Sequence, residues 1–106
     1  MGSAILKEER LQYEIVMWLQ ANGYYFFSVP NEATKGKSKF TAMGMKPGVS
    51  DLVIVLNGSV LFVELKNEIG KQRESQKRFE QRVTELGHRY ILVRSLDELV
   101  LTLSTI

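Results

Sequence analysis

The sequence predicts a single α/β domain, 1–106, in which a mixed central sheet is flanked by helices in the order α-β-β-β-α-β-α. Three observations carry this prediction. Apolar side chains recur at three- and four-residue spacing over 7–22 and 72–86, the period of a helix with one buried face. Two apolar runs, 51–56 and 60–66, flank an Asn57-Gly58 pair, the pattern of a tight hairpin. With 106 residues, 44% of them apolar and 25% charged, the chain has globular composition and the length for one hydrophobic core. A repeat array or a separate cofactor domain does not fit.

The first helix, 7–22, places Leu11, Ile15, Trp18, Leu19 and Asn22 along one side, and Gly23 supplies a left-handed stop. Tyr24 to Val29 is aromatic and apolar and predicts a strand, which Pro30 keeps from continuing as a central one. Residues 31–50 hold three glycines, a proline and small polar residues without a sustained period, which predicts a long loop. Loops of that length in compact domains are commonly functional or mobile. Asp51 to Leu56 is apolar on both faces and predicts a central strand. In the return strand, Val60 to Lys66, alternation puts Val60, Phe62, Glu64 and Lys66 on one face and Leu61, Val63 and Leu65 on the other. Pairing across a turn at 57–59 gives partner numbers summing to about 116 or 117, which sets Asp51 opposite the neighbourhood of Glu64 and Lys66.

The second helix, 72–86, carries Phe79, Val83 and Leu86 on one side, with Gln76 one turn before Phe79, where a polar group needs a reason. Gly87 ends it. Arg89 to Val93 is a further strand, reached by a connection long enough for a parallel crossover. Ser95 and Glu98 have capping-box spacing before a final helix running to about Leu103.

Composition excludes several chemistries. No cysteine means no disulfide, thiolate-held zinc, iron–sulfur cluster or thiol nucleophile, and the single histidine, His88, rules out a multi-histidine metal centre. His88 begins a strand and reads as a surface or capping group. Gly36-Lys37-Ser38 lacks the opening glycine of a nucleotide-binding loop. No stretch approaches the roughly 20 apolar residues of a membrane helix, and Met1 to Arg10 lacks the regions of a signal peptide, so no membrane partner and a cytoplasmic location are expected.

The net charge of +2 is modest, but its distribution is uneven. Lys35, Lys37, Lys39 and Lys46 stand against Glu32 in 31–50, and 66–94 holds eight basic residues against four acidic. A fold joining these segments would attract a polyanion; alternatively the lysines only solvate a loop and a helix face. Lys35, Lys37, Lys39, Lys46, Lys71 and Arg73 are the candidate phosphate contacts.

The informative constellation is Asp51, Glu64 and Lys66, three charged groups where otherwise apolar strands begin or end. Burying them unpartnered is expensive, so they pair or bind an ion. Two carboxylates supply hard oxygen ligands for Mg²⁺ or Mn²⁺, with the backbone carbonyl of Leu65 as a possible third, and a nearby lysine suits charge developing on a phosphodiester. An ion pair of Lys66 with Glu64 or Asp51 is the competing reading.

The run PGVSDLVIV at 47–55, then VLFVELK at 60–66, then Ser75-Gln76 at the start of a helix, resembles the PD-(D/E)XK nuclease superfamily. Within it, the resemblance is to the virus-type replication-repair nuclease (VRR-NUC) family and extends from about Glu8 to Leu99. It implies a restriction-endonuclease-like core. It also implies Asp51 and Glu64 as metal ligands, Lys66 as the catalytic lysine and Gln76 as the glutamine of the following helix. The family places an acidic residue on the first helix, followed closely by Gln or Glu. EERLQ at 8–12 offers Glu9 with Gln12, with Glu8 and Glu14 as alternatives. Ser50 departs from the pattern, which has proline before the aspartate.

The activity the resemblance implies is that of a metal-dependent endodeoxyribonuclease from a phage or prophage setting. It would act on DNA, including branched or four-way junction DNA, as a homodimer with two cutting centres. A general nicking or restriction-like nuclease, and a non-catalytic DNA-binding module with a nuclease fold, are the alternatives.

Overall fold

The computed structural model describes residues 3–29, 42–67 and 69–106. Helix α1 (Ser3–Ala21) begins earlier than its apolar period predicts and buries Leu11, Ile15 and Leu19 at four-residue spacing. Its carboxyl end is closed by Tyr24 N–H donating to Leu19 O at 3.0 Å, while the Asn22 side-chain amide donates to Trp18 O at 2.8 Å. Strands β1 (Tyr25–Ser28), β2 (Leu52–Leu56), β3 (Ser59–Leu65) and β4 (Arg89–Val93) form one sheet in the order β1-β2-β3-β4. The first two pairings are antiparallel and the third is parallel, so the sheet is mixed as expected.

The hairpin register differs from the sequence expectation. Leu56 pairs with Ser59 and Leu52 with Val63, because the turn consumes only Asn57 and Gly58 and Ser59 already belongs to β3. Gly58 sits at φ +77, which a two-residue turn requires and an L side chain resists. The tighter register brings Asp51 level with Glu64, one step beyond the Leu52–Val63 pair.

Alternation sorts the two faces of the sheet. Leu52, Ile54, Leu61, Val63, Leu65 and Val93 meet α1 and helix α3 (Leu96–Ser104) in a core completed by Leu99 and Leu103. Ser95 caps α3, its hydroxyl accepting from Glu98 N–H at 3.3 Å. The opposite face carries Val53, Phe62 and Glu64 and is covered in part by helix α2 (Glu74–Glu85), whose Phe79 meets Phe62 edge-on at 5.0 Å. On that same face Tyr25 and Val55, cross-strand partners on β1 and β2, remain exposed together with Phe27.

The segment before β2 is anchored by Gly48, at φ +86. A Cβ there would lie 2.2 Å from the Ser75 carbonyl oxygen, so only glycine lets this backbone rest against the start of α2. Ser50, standing where the resembled pattern has proline, is buried and donates its hydroxyl proton to Leu52 O at 2.9 Å. A local side-chain bond thus restrains the approach to Asp51 where a proline ring would have done so. Among the described residues no helix is long and apolar enough to cross a membrane.

Candidate active site

Asp51 stands just before β2 and Glu64 next to last in β3, on the same face of the hairpin. The Asp51 carboxylate accepts the Leu65 backbone N–H at 2.8 Å, which ties the strand entrance to the strand exit. Glu64 is 3% exposed. Its Oε2 accepts from the Gln76 side-chain amide at 2.8 Å and lies 3.5 Å from Lys66 Nζ. Its Oε1 is buried with no hydrogen-bond partner. The alternation of β3 brings Glu64 under α2, and the parallel bond from Lys66 N–H to Val93 O at 3.1 Å holds the chain extended past Leu65.

Gln76 answers the question its position posed. It is 1% exposed, third in α2, and its amide oxygen accepts the Arg73 backbone N–H at 2.7 Å. One side chain therefore satisfies a free amide at the helix start and orients a buried carboxylate on the sheet.

Two carboxylates this close, one of them buried, repel. Burial first and the Asp51 charge second push the Glu64 carboxyl up to about 8, against the opposing pull of Lys66. A carboxyl group held so unfavourably, with one oxygen unpartnered, has the character of a cation ligand. The donor set fits Mg²⁺ or Mn²⁺: the Asp51 and Glu64 oxygens are hard ligands, and the Leu65 carbonyl between Glu64 and Lys66 is a third of the same kind. Among the described residues no cluster of three or more His, Asp or Glu side chains gathers here, so a bound ion would keep water in its shell.

Helix α1 closes the other side. Glu8, Glu9 and Gln12 line a cleft of about 160 Å³ together with Asp51 and Leu65. Glu8 is half-buried, and its Oε2 accepts from the Asn67 side-chain amide at 3.1 Å. Glu9 is exposed at the rim, where the surface continues to Tyr13 and Val16. Glu14 lines a neighbouring hollow with Arg10, Lys66, Asn67 and Arg94, which meets the site at Lys66 and not at Asp51. The phase of α1 explains this ordering: Glu8 shares its stripe with Leu11, Gln12 and Ile15, and Glu9 is rotated outward.

Asn67 is a residue that sequence reading missed. Besides holding Glu8, its side-chain oxygen accepts the backbone N–H groups of Ile69 at 2.9 Å and Gly70 at 2.7 Å. Arg94 clamps the same turn by donating to Gly70 O at 2.8 Å. Only its place directly after Lys66 and three residues before Gly70 signalled a turn former.

Of the candidate phosphate contacts, Lys71 and Arg73 are exposed on the approach to α2, and Lys46 is exposed before Gly48. Lys35, Lys37 and Lys39 lie outside the described residues. His88 takes no part: its Nδ1 accepts from Val60 N–H at 3.2 Å and its ring meets Phe62 edge-on at 6.4 Å.

Fold and constellation together define a restriction-endonuclease-like α/β domain, and comparison with solved structures makes the class specific. One, titled "VRR_NUC domain protein", matches with a TM-score of 0.78 at 21% identity, over 93% of this chain and 86% of its own. Another, titled "VRR_NUC domain", matches with a TM-score of 0.66 at 26% identity, over 89% of this chain and 94% of its own. No protein-family model and no curated protein matches the chain. The chain thus has the fold of VRR-NUC domains and resembles that family, as the sequence motifs implied.

Proposed function

We propose that this chain is a nuclease domain that hydrolyses DNA phosphodiester bonds with Mg²⁺ or Mn²⁺. The observation that carries the reading is the Glu64 carboxylate: buried, faced by Asp51, steadied at one oxygen by Gln76 and Lys66, and unpartnered at the other. A carboxylate serving only an ion pair would have no reason to carry a second carboxylate beside it.

Asp51, Glu64 and the Leu65 carbonyl would hold the ion. When bound, such an ion supplies Lewis-acid polarisation of the scissile phosphate and a water of lowered pKa. The remaining work falls to the chain. Lys66, restrained beside Glu64, places a cation where negative charge grows on the phosphate as water attacks. Gln76 fixes the carboxylate plane, and Asn67 keeps Glu8 at the cleft, where it orients water from the α1 side.

The finer reading is an endonuclease selective for branched or four-way junction DNA, acting as a homodimer. One site per chain supports the dimer, since two strands cut in concert need two sites. The test is a cleavage assay with Mg²⁺ or Mn²⁺ on matched four-way junction, flap, nicked, single-stranded and linear duplex DNA, with light scattering alongside. The proposal predicts cation-dependent cutting that is lost in Asp51→Asn. Absence of cutting on every substrate would favour a DNA-binding module, and equal cutting of junction and duplex would remove the selectivity.

A further inference from the structure

Along the flank of α2, Ser75, Arg78, Phe79, Arg82 and Val83 face Lys46 and Pro47 across an open groove of about 330 Å³. The positions on α2 recur at three- and four-residue spacing and form one stripe of the helix. Three of the lining residues are cationic and none is acidic. Among the acidic residues of α2, Glu74 pairs with Lys77 at 3.6 Å and Glu80 with Gln72 at 2.8 Å, whereas Glu85 flanks the stripe and pairs with Arg82 at 3.3 Å, an exposed contact that a phosphate on Arg82 would compete with. The floor is apolar, made by Phe79, Val83 and Pro47.

The groove abuts the candidate active site. Gly48 follows Pro47 and touches the Ser75 carbonyl, and the next residue, Gln76, holds Glu64. A chain lying in the groove would therefore reach the carboxylates within about one helical turn. Arg78 and Arg82 are separated by four residues, about 6 Å along the helix axis, close to the spacing of neighbouring phosphates on a strand.

We infer that this groove carries the DNA backbone on one side of the scissile phosphate, with phosphates on Lys46, Arg78 and Arg82 and sugar faces on Phe79 and Pro47. The inference rests on the nuclease reading for the direction of the strand, and on the groove itself for the polyanion. Charge favours nucleic acid over a second copy of a chain whose own net charge is +2. Of the three cations only Lys46 stood out in the sequence. Arg78 and Arg82 were hidden because each taken alone reads as the solvated side of a helix.

The test is fluorescence anisotropy with a labelled duplex in metal-free buffer, over a series of salt concentrations. It compares the wild type, the triple variant Lys46→Gln, Arg78→Gln, Arg82→Gln, and the control Arg89→Gln, which removes one exposed charge at the start of β4. Thermal melts confirm that each variant is folded. The triple variant should bind at least about tenfold more weakly and lower the slope of log affinity against log salt by about two to three, with the control close to wild type. In cleavage, KM should rise in the triple variant while kcat stays within a few-fold. Equal binding by the triple variant and wild type, or a wild-type dimer that only the triple variant dissolves, would overturn the groove assignment. Tight wild-type binding with no cleavage of any DNA would overturn the nuclease reading and leave the groove standing.

Discussion

Phe62 and Glu64 stand two residues apart on one face of β3, both beneath α2, yet the two ends of that face are built differently. Around Phe62 the packing is aromatic: His88 accepts the Val60 N–H, Phe62 meets both the His88 and Phe79 rings edge-on, and the buried atom left without a partner there is the phenolic oxygen of Tyr90, a neutral group. Around Glu64 the same packing encloses two carboxylates and a lysine and leaves a buried oxygen without a partner. A stretch that needed only stability would resemble the Phe62 end throughout, since buried charge is costly and an apolar replacement is commonly no worse. The contrast separates the part of the face that is built from aromatic packing from the part that concentrates ionisable groups.

The sharpest way to break the comparison is to remove the cation at the charged end. Lys66→Met keeps the aliphatic stem and should lower kcat by about 10²–10³-fold, in the range for losing one positioned electrostatic group, with little change in metal affinity. Quench-flow or gel assays at saturating metal check it, and wild-type turnover would make Lys66 an ion-pair partner only.

The second prediction concerns pH. The Glu64 carboxyl, ordinarily near 4.5, is pushed up to about 8 in the folded, metal-free chain, mainly by burial and then by Asp51. As pH rises between these values the unfolded chain releases this proton while the folded chain keeps it, so stability falls, by at most about 1.4 kcal/mol per pH unit, and levels off above the folded value. Urea midpoints in EDTA should decline from pH 5 to pH 8 in wild type. In Glu64→Gln that contribution should vanish, and parallel curves would contradict the assignment.

Gln76→Ala tests the link between the two helix-facing ends. It leaves Glu64 Oε2 with Lys66 alone and Arg73 N–H without its acceptor, a loss of about 1–2 kcal/mol. Cleavage should drop about tenfold, as for a displaced ligand whose second partner is gone. Smallest is His88→Ala, which frees one backbone N–H at the apolar end and should cost about 1 kcal/mol in denaturant midpoint with cleavage per folded molecule unchanged.

The contrast also explains what the sequence revealed. Element order and the mixed sheet followed from period and turn chemistry, and the hairpin with its Asp, Glu-x-Lys and downstream Gln singled out residues that the fold brings together as the candidate site, because strand alternation carries side-chain direction directly. Register escaped by one to two residues, since whether Ser59 joins the turn or the strand depends on pairing across the sheet. The choice between Glu8 and Glu9 turns on where α1 sits against Asn67, a contact between residues 59 positions apart. The groove flanking α2 was illegible for the same reason, requiring Lys46 and α2 to meet in space.

The central claim is that the unpartnered Glu64 oxygen and Asp51 await a divalent cation. Calorimetric titration of Mn²⁺ into the metal-free protein tests it most directly, with Asp51→Asn and Glu64→Gln beside the wild type. The account predicts one saturable site in the wild type, weakened about tenfold or more in each variant. Undiminished Mn²⁺ binding in both variants, or no binding by the folded wild type, would contradict it.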